Sequence, residues 1–503
     1  MRVGPLMLAA LLSANGSAAG PRRAAVEPAK PAASMSIQPA PAKLWNERSL
    51  RVPIVRQVIA YVPIRPADGV VLFLSGDGGW NKGVVDMARR IAAEAIVIGI
   101  SYPALRAAAG KASKCWYPAG DLEVISRSAQ KQMHLAQYVP PVLIGYSSGA
   151  TLVYGALAAA PATTFGGGIS LGFCPDLPVD RSVCPASAWR PTYDAKTHEA
   201  WLPRVDALPH EWRVLNGAED RVCDIGAMRR FVAGMANAEL DVIEGTGHGF
   251  GRPVRWTETF DRAVEAVLAR ARPAAPAPRP APPGSGDLAS SLDRLDLPLT
   301  YSWTEQPAAF LVFFSGDGGW AAIDEGIADA LASHRISVIG VSSLKYFWRE
   351  KTAAQVASDL SAIVSRLEAT GRPIFVGGYS FGASVVPLAL QAGGPRRAAA
   401  GLVLLSPDTS ASFEIDPLDW IRTAAENPET QVAPAIRALN LPTLCIAGTE
   451  EESGACLELP ERPPIDVRRL PGSHHFKGDY AGLGDAVARF IETTMVTRER
   501  NRQ

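Results

Sequence analysis

The sequence predicts two tandem doubly wound α/β domains, each built on a mainly parallel sheet. Three observations lead there. The first is a repeat. Ser-Gly-Asp-Gly-Gly-Trp stands at Ser75–Trp80 and again at Ser315–Trp320, Gly145–Ala150 (Gly-Tyr-Ser-Ser-Gly-Ala) is matched by Gly378–Ala383 (Gly-Tyr-Ser-Phe-Gly-Ala), and Gly247–Phe250 is matched by Ser473–Phe476. Three motifs in one order, with an offset that shrinks only from 240 to 226 residues, mark a duplicated unit. The second is the character of the strands: runs such as Val70–Leu74 and Phe310–Phe314 are apolar throughout rather than alternating, as strands covered on both faces are. The third is the alternation of such runs with longer helical segments, the pattern of a parallel sheet flanked by helices.

Taken in order, the chain opens with Arg2, an apolar stretch Val3–Leu12 and the small residues Ser17-Ala18-Ala19. That order predicts a secretory signal peptide over residues 1–19, too short to span a bilayer. Residues 20–43 are rich in Ala and Pro and read as a flexible lead-in. The first domain is expected at 44–271, with strands at Val70–Leu74, Ile96–Ile100, Val142–Ile144, Gly168–Leu171, Trp212–Leu215 and Leu240–Ile243. A Pro/Ala-rich linker follows at 272–287, where proline favours an extended, semi-rigid spacer. The second domain is expected at 288–496, with strands at Phe310–Phe314, Ile336–Val341, Ile374–Val376, Leu402–Leu405, Thr443–Ala447 and Val467–Leu470.

Composition sets bounds. The 503 residues balance 50 Lys and Arg against 50 Asp and Glu, so nothing in the net charge suggests an electrostatic nucleic-acid binder. No segment after the leader has about 18 consecutive apolar residues, which predicts a mature protein without a transmembrane span. Four cysteines fall in the first half and two in the second, even numbers that suit disulfides in an oxidising compartment. Sequence proximity suggests the pairs Cys174/Cys184 and Cys445/Cys456. No Cys/His spacing points to zinc, and no metal or organic cofactor is expected.

The chemistry lies in the repeated motifs. Gly-x-Ser-x-Gly between a strand and a helix is the setting of a nucleophile elbow, which makes Ser147 and Ser380 candidate nucleophiles. A serine hydroxyl needs a base, and in this arrangement acid and histidine follow the serine in the chain. The first half supplies Asp220 and His248. The second supplies Glu451, counted from Gly448, with Glu450 and Glu452 as neighbours, and His474, with His475 as the alternative. The glycine turn after the first core strand can aim backbone N–H groups at an oxyanion, with donors expected near Gly316, Asp317 and Phe381.

At these residues the chain resembles the VirJ/AcvB family of bacterial virulence-associated α/β-hydrolases. The resemblance rests on Ser-Gly-Asp-Gly-Gly-Trp, Gly-Tyr-Ser-Phe-Gly-Ala, Leu404–Asp408 with Phe413-Glu414, and His474-His475-Phe476 with Gly478–Tyr480. It extends over the mature chain, since AcvB-type members carry two such domains after a signal peptide. It implies a periplasmic location, hydrolysis of lysyl-phosphatidylglycerol, and a link to acid tolerance and type IV secretion. It also implies that the main activity sits in the second domain, with Ser380, His474 and Glu451, while Ser147, Asp220 and His248 form a second set. Asp408 and Glu414 are the candidates for holding the lysyl ammonium groups. Trp320 and the cluster Tyr346-Phe347-Trp348 are expected at the rim, where amphipathic rings would meet the membrane surface. Two other readings share these residues: a general envelope carboxylesterase or thioesterase, and a non-catalytic periplasmic chaperone for secretion substrates.

Overall fold

Continuous apolar runs become the central strands of two sheets, because each is covered by helices on both faces. The computed structural model of the chain describes residues 44–111, 114–186, 189–271, 286–415 and 430–500. The expected leader, the lead-in and residues 272–285 of the linker lie outside them.

The first sheet has eight strands: β1 (Trp45–Val52), β2 (Arg56–Pro63), β3 (Val70–Leu74), β4 (Ile96–Ile100), β5 (Val142–Tyr146), β6 (Gly167–Leu171), and, after three short strands, β10 (Ala207–Gly217) and β11 (Ala236–Ile243). The short strands β7 (Asp176–Pro178), β8 (Thr192–Asp194) and β9 (Glu199–Trp201) form a separate antiparallel sheet. The order β1-β2-β4-β3-β5-β6-β10-β11 is parallel from β4 to β11, with the β1–β2 hairpin added antiparallel at one edge. The second sheet repeats the plan with β12 (Leu299–Ser302), β13 (Ala309–Phe314), β14 (Ile336–Val341), β15 (Ile374–Tyr379), β16 (Ala399–Leu405), β17 (Thr443–Gly448) and β18 (Ile465–Leu470). Its order is β12-β14-β13-β15-β16-β17-β18, and only β12 runs antiparallel. The architecture is that of two tandem α/β-hydrolase-like domains.

The repeated Ser-Gly-Asp-Gly-Gly-Trp has a structural role in each copy. Ser75 and Ser315 are fully buried, and their N–H groups bond to the last carbonyl of the neighbouring strand, at Ile100 and Val341. Their hydroxyls accept the N–H of Tyr102 and Ser343, which fixes the next loop. The Trp320 ring lies on Gly340 of β14, where a Cβ would stand 2.2 Å from it; Trp80 lies on Gly99 in the same way. Trp320 therefore fills a slot in the sheet surface and does not line the cavity over the serine, contrary to the expectation of a substrate contact.

Two further expectations are corrected. Cys174 pairs with Cys223 and Cys184 with Cys115, while Cys445 pairs with Cys456 as expected. Cys174 follows β6 and Cys223 follows β10, neighbouring strands whose ends the sheet brings together, so topology overrides proximity in sequence. Phe347 and Trp348 are not at a membrane-facing rim. Phe347 is wholly buried against Phe314, Phe381 and Phe413, and Trp348 is 3% exposed.

Trp348 is covered by the first domain. Its indole N–H donates to the Leu135 carbonyl at 3.0 Å, and its ring packs on Tyr138 and under the Lys131 ammonium. Tyr138 belongs to the second domain's core cluster although it lies in the first half of the chain. Residues from Leu44 onward accordingly form one compact unit rather than two bodies held only by a spacer.

Gly340→Ala should lower stability by about 1–3 kcal/mol, because the new methyl group meets a ring that has nowhere to go. Gly251→Ala, where a Cβ meets nothing within 4 Å, should stay within error of wild type. Urea unfolding of the two variants measures the difference.

Candidate active site

Each Gly-x-Ser-x-Gly makes the turn from the central strand into a helix. Ser380 follows β15 and precedes the helix Phe381–Gln391, at φ 51° and ψ −116°; Ser147 follows β5 at φ 54° and ψ −124°. A positive φ costs a serine of order 1–3 kcal/mol, so the surroundings must impose it. They do so by close packing: a Cβ on Gly382 would stand 2.2 Å from the Phe314 carbonyl, and one on Gly378 2.5 Å from Gly382 itself. The two glycines let the helix press onto the ends of β13 and β15, which projects the serine side chain above the sheet.

A carboxylate and an imidazole come from later strand ends. Glu451 follows β17, and His474 lies in the loop after β18. Ser380 Oγ is 2.8 Å from His474 Nε2, and His474 Nδ1 is 2.7 Å from Glu451 Oε1. The other carboxylate oxygen accepts the Gly448 N–H at 2.6 Å and the Ser406 hydroxyl at 2.9 Å. Glu450 is exposed beside Lys477, and Glu452 is exposed in the loop. His475 contacts the Tyr379 hydroxyl instead of the serine. The first domain has the same chain of contacts: Ser147 Oγ to His248 Nε2 at 3.0 Å, and His248 Nδ1 to Asp220 Oδ2 at 2.8 Å.

A disulfide braces each acid loop. Cys445–Cys456 closes the loop that carries Glu451, and Cys223, three residues after Asp220, is tied to Cys174. Asp220, Cys223 and His248 form the one cluster of metal-ligating residue types among the described residues, but the sulfur is in a disulfide and offers no thiolate.

Partial burial disfavours a proton on His474, yet the hydrogen bond and charge of Glu451, with Asp408 and Asp317 nearby, outweigh it and leave its pKa above the ordinary histidine value. Burial opposes charge on Glu451 too, but the bonds from His474, Gly448 and Ser406 hold its pKa below the usual glutamate range. The arrangement can therefore transfer a proton from serine to imidazole beside a carboxylate that stays ionised.

Above Ser380 lies a cavity of about 580 Å³. Gly316, Asp317 and Phe381 line it. Phe381 opens its helix, so its N–H has no intrahelical acceptor and remains free for an oxyanion. Asp408, an exposed residue, also lines the cavity. Glu414 does not line it; that carboxylate pairs with Lys131 of the first domain, which corrects its expected role with substrate.

The rest of the wall carries no signal in the sequence motifs. Tyr117, Glu123 and Arg127, on or just before the helix Pro118–Gln132 of the first domain, face the second domain's serine across the cavity. Asp324 is also unforeseen. It is buried, Oδ2 accepts the Ala321 N–H, Oδ1 has no partner among the described residues, and burial pushes its pKa up to about 7.

Comparison with known proteins finds a family match in the second half of the chain. Residues 308–495 match the family described as bacterial virulence protein (VirJ). Over those residues the second domain is similar to this family. No curated protein matches the chain. Similar solved structures include the esterase Est1E from Butyrivibrio proteoclasticus, at 14% identity and TM-score 0.31, covering 39% of this chain and 94% of that one. A membrane phospholipase A, titled a novel bacterial virulence factor, matches at 13% identity and TM-score 0.32, over 46% of this chain and 88% of its own. Among the described residues no helix is long and apolar enough to cross a membrane.

The raised His474 pKa predicts an acid limb in kcat/KM. A general base works unprotonated, so activity should fall as the pH drops through a value above about 6.5, the ordinary histidine pKa. Glu451→Gln removes the charge that raises it, moving the limb to lower pH and cutting the plateau by on the order of 10³–10⁴. A pH–rate profile of the two proteins would detect both changes; an unmoved limb would separate Glu451 from the base.

Proposed function

We propose that the chain is a periplasmic serine esterase that hydrolyses the aminoacyl ester of lysyl-phosphatidylglycerol, with its main site at Ser380. The observation that carries the hydrolase reading is the unbroken hydrogen-bonded chain from Ser380 through His474 to Glu451 beneath an open cavity. Ser380 Oγ attacks the ester carbonyl while His474 takes its proton. The oxyanion is met by backbone N–H groups near Gly316 and Asp317 and at Phe381. Collapse breaks the bond to the glycerol oxygen, which leaves as phosphatidylglycerol with the proton from His474. Water then attacks the lysyl-enzyme, His474 takes the water's proton and returns it to Ser380, and lysine departs.

A cationic acyl group is favoured by the charge of the cavity. Glu123, Asp317, Asp324 and Asp408 line it against the single guanidinium of Arg127, so an ammonium group gains more there than a neutral acyl chain. Asp324, with an unpaired buried oxygen, is the carboxyl with most to gain from a donor. The Ser147–His248–Asp220 chain supports a second hydrolytic centre in the first domain.

Release of lysine from vesicles containing lysyl-phosphatidylglycerol tests this directly. Ser380→Ala should lose turnover by several orders of magnitude while keeping its melting temperature, and Ser147→Ala should lose far less. Wild-type turnover in Ser380→Ala would reject the nucleophile. Equal rates on a neutral acyl ester would replace the substrate with that of a general esterase, and no turnover of either would favour a binding or chaperone role.

A further inference from the structure

The two copies of Ser-Gly-Asp-Gly-Gly-Trp hold their aspartate differently, and the difference joins the domains. In the first copy the Asp77 carboxylate accepts the hydroxyl of Ser148, the residue after the elbow serine. The turn is thus tied to the elbow within its own domain. In the second copy that residue is Phe381, which has no donor on its side chain. Asp317 Oδ2 instead accepts Arg127 Nη1 at 3.3 Å, from a helix 190 residues earlier in the chain.

Arg127 is built for this place. Its side chain is 5% exposed, its other terminal nitrogen donates to Glu123 at 2.6 Å, and its guanidinium lies over the Tyr138 ring. The helix that carries it is anchored independently, by the Lys131–Glu414 ion pair and by the Trp348 indole on Leu135 and Tyr138. Neither the Lys131–Glu414 pair nor the Trp348–Leu135 hydrogen bond involves the guanidinium, so both remain when it is removed.

We propose that Arg127 of the first domain is a positioning residue for the second domain's hydrolytic site: it holds Asp317, and through it the turn that supplies an oxyanion donor, in the role Ser148 plays for Asp77. The inference rests on the reading of Ser380 as nucleophile. It makes the second domain's catalysis depend on the first domain, although all three groups of its serine–histidine–glutamate chain are its own. A turn loosened by even part of an ångström misaims its N–H groups in the transition state, whereas a small substrate in the ground state feels little of it.

The test uses the full chain carrying Ser147→Ala, so that only one serine centre remains, and p-nitrophenyl acetate, an ester too small to reach the cavity walls. Adding Ser380→Ala should abolish turnover; if it does not, the nucleophile reading fails whatever Arg127 does. With that dependence in hand, Arg127→Ala should lower kcat by about 10- to 100-fold with KM changed less than about two-fold, and Arg127→Lys should regain part of the loss. Asp317→Asn should give a similar loss, and it keeps the test open if Arg127→Ala fails to fold. Because the two act as one unit, the double variant should lose no more than the worse single variant. An unchanged kcat in a folded variant, a loss confined to KM, or losses that multiply in the double variant would overturn the proposal.

Discussion

A serine held at positive φ where a strand turns into a helix is the constraint on which the rest of each domain depends. The backbone can sit there only if the helix packs directly on the ends of the central strands, and that packing requires the bare backbone of Gly378 and Gly382. It requires in turn a parallel sheet whose middle strands are apolar on both faces, since the helix covers one and its neighbours the other. The strain is borne by fully buried strands such as β13 and β15. What this yields is a hydroxyl raised above the sheet, where loops from β17 and β18 can deliver an acid and a base.

Those loops are themselves restrained. Glu451 is fixed by Gly448, Ser406 and a disulfide, and the carbonyls of Gly448 and Glu451 accept from Arg469. Tyr379, the residue before the elbow, donates its hydroxyl to the His474 carbonyl. The imidazole is thus held on both its backbone and its Nδ1 side. In the first domain Asp220 accepts the N–H groups of Val222 and Cys223, and Cys223 is tied to Cys174, so there too the acid is held by its own loop and a disulfide.

Much of this was legible in the sequence because it is local or periodic. The continuous apolar runs marked every central strand, and the repeat registered Glu451 and His474 against Asp220 and His248. The edge strands were not legible. Trp45–Val52 is mostly polar and half exposed, and Leu299–Ser302 is short, so neither carries the signal of a buried strand. Phe347 and Trp348 looked like rim aromatics because the first domain that covers Trp348 is distant in sequence. Arg127 has no local signature at all. The trace it leaves is the one departure within the second motif pair, Phe381 in place of Ser148, which frees Asp317 for a partner outside its own domain.

Everything at this site turns on the second domain's elbow serine being a reactive nucleophile. Peptide mapping of the full chain after brief treatment with a fluorophosphonate would test it most directly, since that reagent modifies a serine only where a base and an oxyanion site activate it. A phosphonylated adduct is expected on Ser380, suppressed at a pH below the His474 limb and lost in His474→Ala. An unmodified Ser380 in folded protein, or labelling that survives removal of His474, would contradict it.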